Sequence, residues 1–244
     1  MKRRSLVLTT IAGLLVFLGV LVLYLPASWF ASMLPAPLHC AELGGSLWQG
    51  ECLGLDFQGA KLGDATWNLS PGRAFAGRLA GDVDVRGSAL SARADLDLKL
   101  NGSGELRNVT ARFPLDPAFV AQFPRDQRGN IVADLKRVVL ADGPSLGPLQ
   151  GTIELHDLRQ VGANPLDLGS YRVTFDGTSI GQLRDTGGPF AVEATLTLTP
   201  PNGYLVQGFM TARSAEAERL VRELTLGVPP DASGRSAFSF EGSY

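Results

Sequence analysis

The sequence predicts an all-β-dominated fold. We expect a strongly bent antiparallel sheet or partial barrel with one or two short helices, preceded by a single N-terminal transmembrane helix. Three observations predict it. Many segments alternate apolar and polar residues with period 2, the signature of a half-buried strand. Glycine-, proline- and asparagine-rich turn signals separate them. One uncharged apolar run, Leu6 to Leu25, stands apart near the N-terminus. The chain has 244 residues, 22 Lys+Arg against 24 Asp+Glu, 45% hydrophobic and 19% charged residues. That is too apolar for a disordered chain, and the near-balanced charge lacks the basic stripe of a nucleic-acid binder. Two His and two Cys leave little material for metal or nucleophile chemistry.

At the N-terminus Lys2, Arg3 and Arg4 precede the apolar run, which only Thr9, Thr10, Gly13 and Gly19 interrupt. About 20 such residues span a hydrocarbon core of roughly 30 Å. Tyr24 and Trp29 sit at the far end as interface aromatics do, and Pro26 stops the helix. A cleaved leader competes with this reading. Its apolar region is shorter, about 7–15 residues, and ends at a small-x-small site. No such site lies between Ala27 and Ala36, so a retained anchor is expected. The next basic residue is Lys61, so the positive-inside rule places the N-terminus in the cytoplasm. The expected organisation is a cytoplasmic tail (1–4), an anchor (5–26), a linker (27–37) and one exported β-rich domain (38–244). Without the three N-terminal basic residues, the exported part carries 19 basic against 24 acidic residues, a net −5.

Cys40 and Cys52 are the only cysteines. An isolated pair in an exported domain is expected to form a disulfide, here across a hairpin-like loop containing Gly44, Gly45 and Gly50. The C-x-x-C spacing of a redox centre is absent. His39 beside Cys40 suggests half a metal site. A closed zinc site needs four ligands, and only His156 and scattered carboxylates remain. No metal and no cofactor is expected.

The clearest strand is Arg93-Ala94-Asp95-Leu96-Asp97-Leu98-Lys99-Leu100, with apolar residues at even numbers and charges at odd ones. Gly81 to Arg86, Thr152 to Leu155, Tyr171 to Asp176, Val192 to Thr199, Tyr204 to Thr211 and Phe238 to Tyr244 alternate likewise. Expected turns are Asn101-Gly102, Gly129-Asn130, Asp142-Gly143-Pro144, Asp176-Gly177, Gly187-Gly188-Pro189 and Pro200 to Gly203. Clean alternation implies antiparallel pairing with one wet face, and short connections imply a meander. Asp116 to Phe123 is a candidate short helix between Pro114 and Pro124. Ser214 to Leu226 is a stronger one: Ser214 caps it, Glu216 and Glu218 sit near its positive end, and Leu220, Val221 and Leu224 form an apolar stripe. Two short helices cannot cover the apolar face of some ten strands. The sheet must therefore curl, form a sandwich or leave an apolar groove, with the Ser214 helix over one end. Asp142 to Pro148 is expected to be a turn inside one domain.

Three short elements follow the anchor: Gly45-Ser46-Leu47-Trp48-Gln49-Gly50, Trp67-Asn68-Leu69-Ser70-Pro71 and Gly77-Arg78-Leu79. Physically, Trp48 and Trp67 are expected to point into the core from the first two strands, with glycines permitting close backbone approach. In order and spacing these elements resemble the type II secretion system protein N family, as does the closing Gly234 to Gly242. The family motif maps onto Gly45, Leu47, Trp48, Gly50, Trp67 and Pro71. The resemblance implies a non-enzymatic component of the machine that exports folded proteins across the outer membrane. It implies a single-pass inner-membrane location with the bulk of the chain periplasmic, and partners in the inner-membrane platform or the periplasmic part of the secretin. It supplies no catalytic residue.

The alternative reading is lipid handling. A bent one-sided sheet behind one span also resembles the β-groove domains of AsmA-like proteins. Its apolar face would take a phospholipid acyl chain along Leu96, Leu98, Val173, Phe175, Phe209, Phe238 and Phe240. An enzyme is not expected. No nucleophile–base pair, P-loop or dinucleotide fingerprint is present, and Asp82/Asp84 and Asp95/Asp97 read as solubilising charges on the wet face.

Overall fold

The structure, a computed structural model, describes residues 13–14, 17, 19–29, 38–57, 59–115, 124–141, 145–162, 165–225 and 229–243. They form one sheet of thirteen strands: β1 (Leu38–Gly45), β2 (Gln49–Phe57), β3 (Ala60–Leu69), β4 (Arg78–Arg86), β5 (Ser91–Lys99), β6 (Gly104–Leu115), β7 (Gln127–Leu140), β8 (Leu146–Gln160), β9 (Leu166–Thr178), β10 (Ile180–Gly187), β11 (Phe190–Thr199), β12 (Gly203–Ala212) and β13 (Ser236–Ser243). Helix α1 (Pro71–Ala74) joins β3 to β4, and α2 (Ala215–Leu224) joins β12 to β13. Spatial order equals chain order, and every strand pairing among the described residues is antiparallel. The meander is thus present, as an open sheet. The sheet is open: among the described residues β1 pairs with β2 and β13 with β12, and the two edges do not pair with each other. The ends of the apolar face are instead met by the N-terminal segment and by α2, so the sheet does not need to close on itself.

The strand register builds one continuous apolar face. Leu69, Gly81, Leu96, Leu106, Val138 and Leu149 are successive cross-strand partners from β3 to β8. Ile153, Val173, Leu183, Ala194, Gly208 and Phe238 continue the row from β8 to β13. Bulges keep the apolar side chains on this face where a strand carries an extra residue. Two of them hold the non-glycine residues of positive φ, Asn108 in β6 and Asp157 in β8. One buried cluster joins Leu135, Val138, Leu149, Phe175 and Leu198. A second joins Phe190, Val192, Ala194 and Met210 to Ala217 and Val221 of α2. Ser214 caps α2, its Oγ accepting from the Ala217 N–H at 3.2 Å. The helix lies over one end of the sheet. The Leu224 part of the expected stripe lies outside the described side chains.

Other expectations resolve individually. Gly129-Asn130 is not a turn but lies inside β7, where Asn130 pairs with His156; Asp176-Gly177 belongs to the end of β9. Strand β10 escaped the alternation test because glycine takes one of its inward places. A Cβ on Gly181 would sit 2.6 Å from Val173 Cγ1 and 2.8 Å from the Phe175 ring. The Asp116–Phe123 helix and the Asp142-Gly143-Pro144 turn lie outside the described residues. Strands β7 and β8 pair on either side of that turn, Leu140 opposite Leu146, so one sheet continues through the midpoint. Half of the expected anchor also lies outside the described residues. Residues 19–23 are helical, and among the described residues no helix is long and apolar enough to cross a membrane.

The opposite face is laced with ion pairs. Asp97 accepts from Arg78 at 2.8 Å and Arg73 at 3.4 Å, and Asp84 pairs with Arg86 at 2.7 Å. Glu105 accepts from Arg137 and Arg107, and Glu154 from Arg172 at 2.7 Å and His156 at 2.9 Å. Hydrogen bonds from Arg137 and Arg107 hold the Glu105 carboxyl below its ordinary range, and those from Arg172 and His156 do the same for Glu154. A carboxyl depressed in the folded state contributes stability above its unfolded pKa and loses it as pH falls. We expect the denaturation midpoint to decline below about pH 4.5. The decline should be shallower in a Glu105→Gln/Glu154→Gln double variant. Urea titrations at stepped pH check this; parallel declines in both proteins would contradict it.

Candidate functional site

The connection between β1 and β2 is built so that another segment can dock on it. Gly45 adopts φ +77°, where a Cβ would strike the Gln49 carbonyl at 2.5 Å. Ser46 Oγ accepts from the N–H groups of Trp48 at 3.3 Å and Gln49 at 3.1 Å, closing the turn. Trp48 is buried, and its indole N–H donates to the Val22 carbonyl at 2.8 Å. The Leu47 N–H donates to the Leu25 carbonyl at 2.9 Å, and Pro26 bridges to Ser46. Residues 22–26 are therefore held against the first hairpin by main-chain contacts and one tryptophan.

The neighbouring motif residues brace this joint. Trp67 Nε1–H donates to the Leu47 carbonyl at 3.0 Å, and the Leu69 N–H donates to the Trp48 carbonyl. Gly50 must lack a side chain, because its Cβ would lie 2.4 Å from the Trp67 ring. Pro71 opens α1, where its missing N–H costs nothing. The sequence expectation is corrected in one respect: Trp48 lies in the β1–β2 connection and Trp67 on β3, not on the first two strands.

Beside the joint, the apolar face of β1–β5 is left uncovered by the described residues and forms a trough of about 300 Å³. Its walls are Cys40 and Leu43 of β1, Cys52 and Leu55 of β2, Ala65, Trp67 and Leu69 of β3, Leu79 and Val83 of β4, and Leu96 of β5. Leu47 and Ala27 close the end nearest the docked segment. Cys40 and Cys52 are disulfide-bonded with their Cα atoms 5.7 Å apart, so the crosslink is part of the wall. No ionisable side chain lines the trough. Among the described residues no group of His, Cys, Asp and Glu is placed to hold a metal.

The expected groove residues do not share one cavity. Leu96 lines the trough, and Leu98 lies on the same face opposite Leu79. Val173, Phe175 and Phe238 belong to the two covered clusters. Phe240 is on the apolar face of edge strand β13 and 44% exposed. Phe209 is corrected to the opposite face. Its neighbours Gly208 and Met210 turn inward, so period 2 sends it outward, where the Arg235 guanidinium lies 4.7 Å above its ring. Leu43, Leu55, Leu79 and Val83 are trough residues outside the expected groove set, although Val83 lies in the alternating segment Gly81 to Arg86 and Leu79 in the element Gly77-Arg78-Leu79. In β2 the bulge around Gly54, φ +66°, breaks the alternation that would flag Leu55.

Two outcomes follow from the joint and the crosslink. Trp48→Phe keeps a ring but leaves the Val22 carbonyl without its donor, a cost of about 1 kcal/mol. Limited proteolysis should then cut within residues 27–29 several-fold faster, with cleavage inside the sheet unchanged. Cys40→Ser should abolish the gel-mobility difference between reduced and non-reduced chain. It should also lower unfolding stability by about 3 kcal/mol, the closure term for so short a loop.

Comparison with known proteins agrees with this layout. The family model for "Type II secretion system (T2SS), protein N" matches residues 36–239. A Type II secretion system protein N of Vibrio cholerae serotype O1 is 27% identical over 236 residues, covering 91% of this chain and 92% of that protein. A Type II secretion system protein N of Aeromonas hydrophila is 25% identical over 243 residues, covering 94% and 95%. No solved structure matches. The family match extends over most of the sequence: the chain belongs to the type II secretion system protein N family.

Proposed function

We propose that this chain is a non-enzymatic, inner-membrane-anchored component of the type II secretion machine. Residues 1–4 lie in the cytoplasm, 5–26 cross the inner membrane, 27–37 link, and 38–244 form the periplasmic sheet. The chain acts in assembly or stability of the machine. The observation that carries this reading is the joint itself. The end of the apolar run is clamped to the first hairpin through Val22, Leu25 and Pro26, so the sheet is oriented relative to whatever holds that run. A sheet on a loose tether would need no such clamp.

The partner is the inner-membrane platform or the periplasmic part of the secretin. Two features support docking there. Strands β1 and β13 are edges whose outward N–H and C=O groups suit an added strand. The polar face presents acidic and basic groups in alternation, which suits register-specific recognition more than tight burial.

The test combines topology and capture. Protease added to spheroplasts should digest the chain beyond about residue 30; full protection would reverse the orientation. A photoreactive residue at Asp95 or Glu241, both on the polar face, should capture secretion-machine proteins. Capture of none from either position would remove the assembly role.

A further inference from the structure

We propose that the trough over β1–β5 holds one acyl chain of a membrane phospholipid. The inference deepens the anchored reading above and rests on it. The trough is the part of the apolar face that neither α2 nor the two buried clusters cover. Its wall consists of aliphatic side chains, the Trp67 ring and the Cys40–Cys52 disulfide. The strand N–H and C=O groups beneath are engaged in the sheet ladder.

This chemistry selects the occupant. A peptide segment laid in the trough would bring main-chain N–H and C=O groups that no wall atom can satisfy, and burying them unpaired is costly. An acyl chain brings none. About 300 Å³ accommodates roughly ten methylene-sized groups, taking each as about the 30 Å³ of a water. That suits a single chain and is too small for a folded partner.

Position selects the source. Ala27 lines the trough, two residues beyond the apolar run that ends at Leu25, and Trp48 and Leu47 hold that end in place. With the run in the bilayer, the trough opens at the membrane surface. One acyl tail can then turn up into it while the headgroup stays in the interface. The disulfide keeps β1 and β2 in register along one wall, so the trough persists without the lipid. The occupied region differs from the groove expected from alternation alone: of those residues, Leu96 alone lines it.

The test uses the full chain in its own cells, with a photoreactive residue at Leu43 or Leu96 in the trough, or at Thr66 or Asp84 on the polar face. Mass spectrometry identifies the adducts. We expect diacyl phospholipid at both trough positions, at least about tenfold over the polar-face positions. Leu79→Asp, which puts a carboxylate in the wall, should cut capture at Leu96 by about tenfold because burying a charge there is costly. The disulfide mobility shift reports that the first hairpin is still folded. Equal capture on both faces, or only free fatty acid or protein in the trough, would overturn the proposal; so would lipid capture unaffected by Leu79→Asp in a folded chain. Membrane fractionation separates the two readings. A membrane-bound chain with an empty trough refutes the lipid site alone, whereas a chain found free of the membrane refutes the anchor and the lipid site together.

Discussion

Period-2 alternation and the strand register put most of this sheet's apolar side chains on one face, and that face must be shielded from water. Everything else in this protein answers that constraint. Bulges at Asn108 and Asp157 hold apolar residues on the same side where strand lengths do not match. Helix α2 seals one end through Ala217 and Val221. Phe175, packed across Gly181, closes the middle. Over β1–β5 the cover runs out, and the uncovered stretch lies where the N-terminal segment arrives.

The Gly45–Gly50 element and Trp67 have a mechanical explanation. Gly45 and Ser46 set the turn, Trp48 grips the Val22 carbonyl, and Gly50 yields its side-chain space to Trp67, which ties back to Leu47. None of these residues needs chemistry of its own. They transmit the position of one segment to a sheet. The disulfide strengthens the same hairpin, and the ion pairs on the far face support the strand register.

Legibility in the sequence was uneven for physical reasons. Strands β4, β5, β11 and β12 alternate cleanly, so the antiparallel meander could be read directly. Strands β2 and β10 could not, because glycine occupies inward places there and bulges shift the phase. Turn residues misled where a glycine served packing: Gly129 lies beneath the Leu155 side chain inside β7, not at a bend. The disulfide partners were legible because there were only two candidates.

From the sequence alone came the period-2 face, the helix that caps one end, the crosslink and the family resemblance, since each is encoded in local spacing or in a unique pair. Only the tertiary structure decided that the sheet stays open, that Phe209 faces away from Phe238, and that the uncovered face lies at β1–β5. Those outcomes depend on register across thirteen strands, where a single bulge changes which residues meet, and local patterning carries no record of that sum.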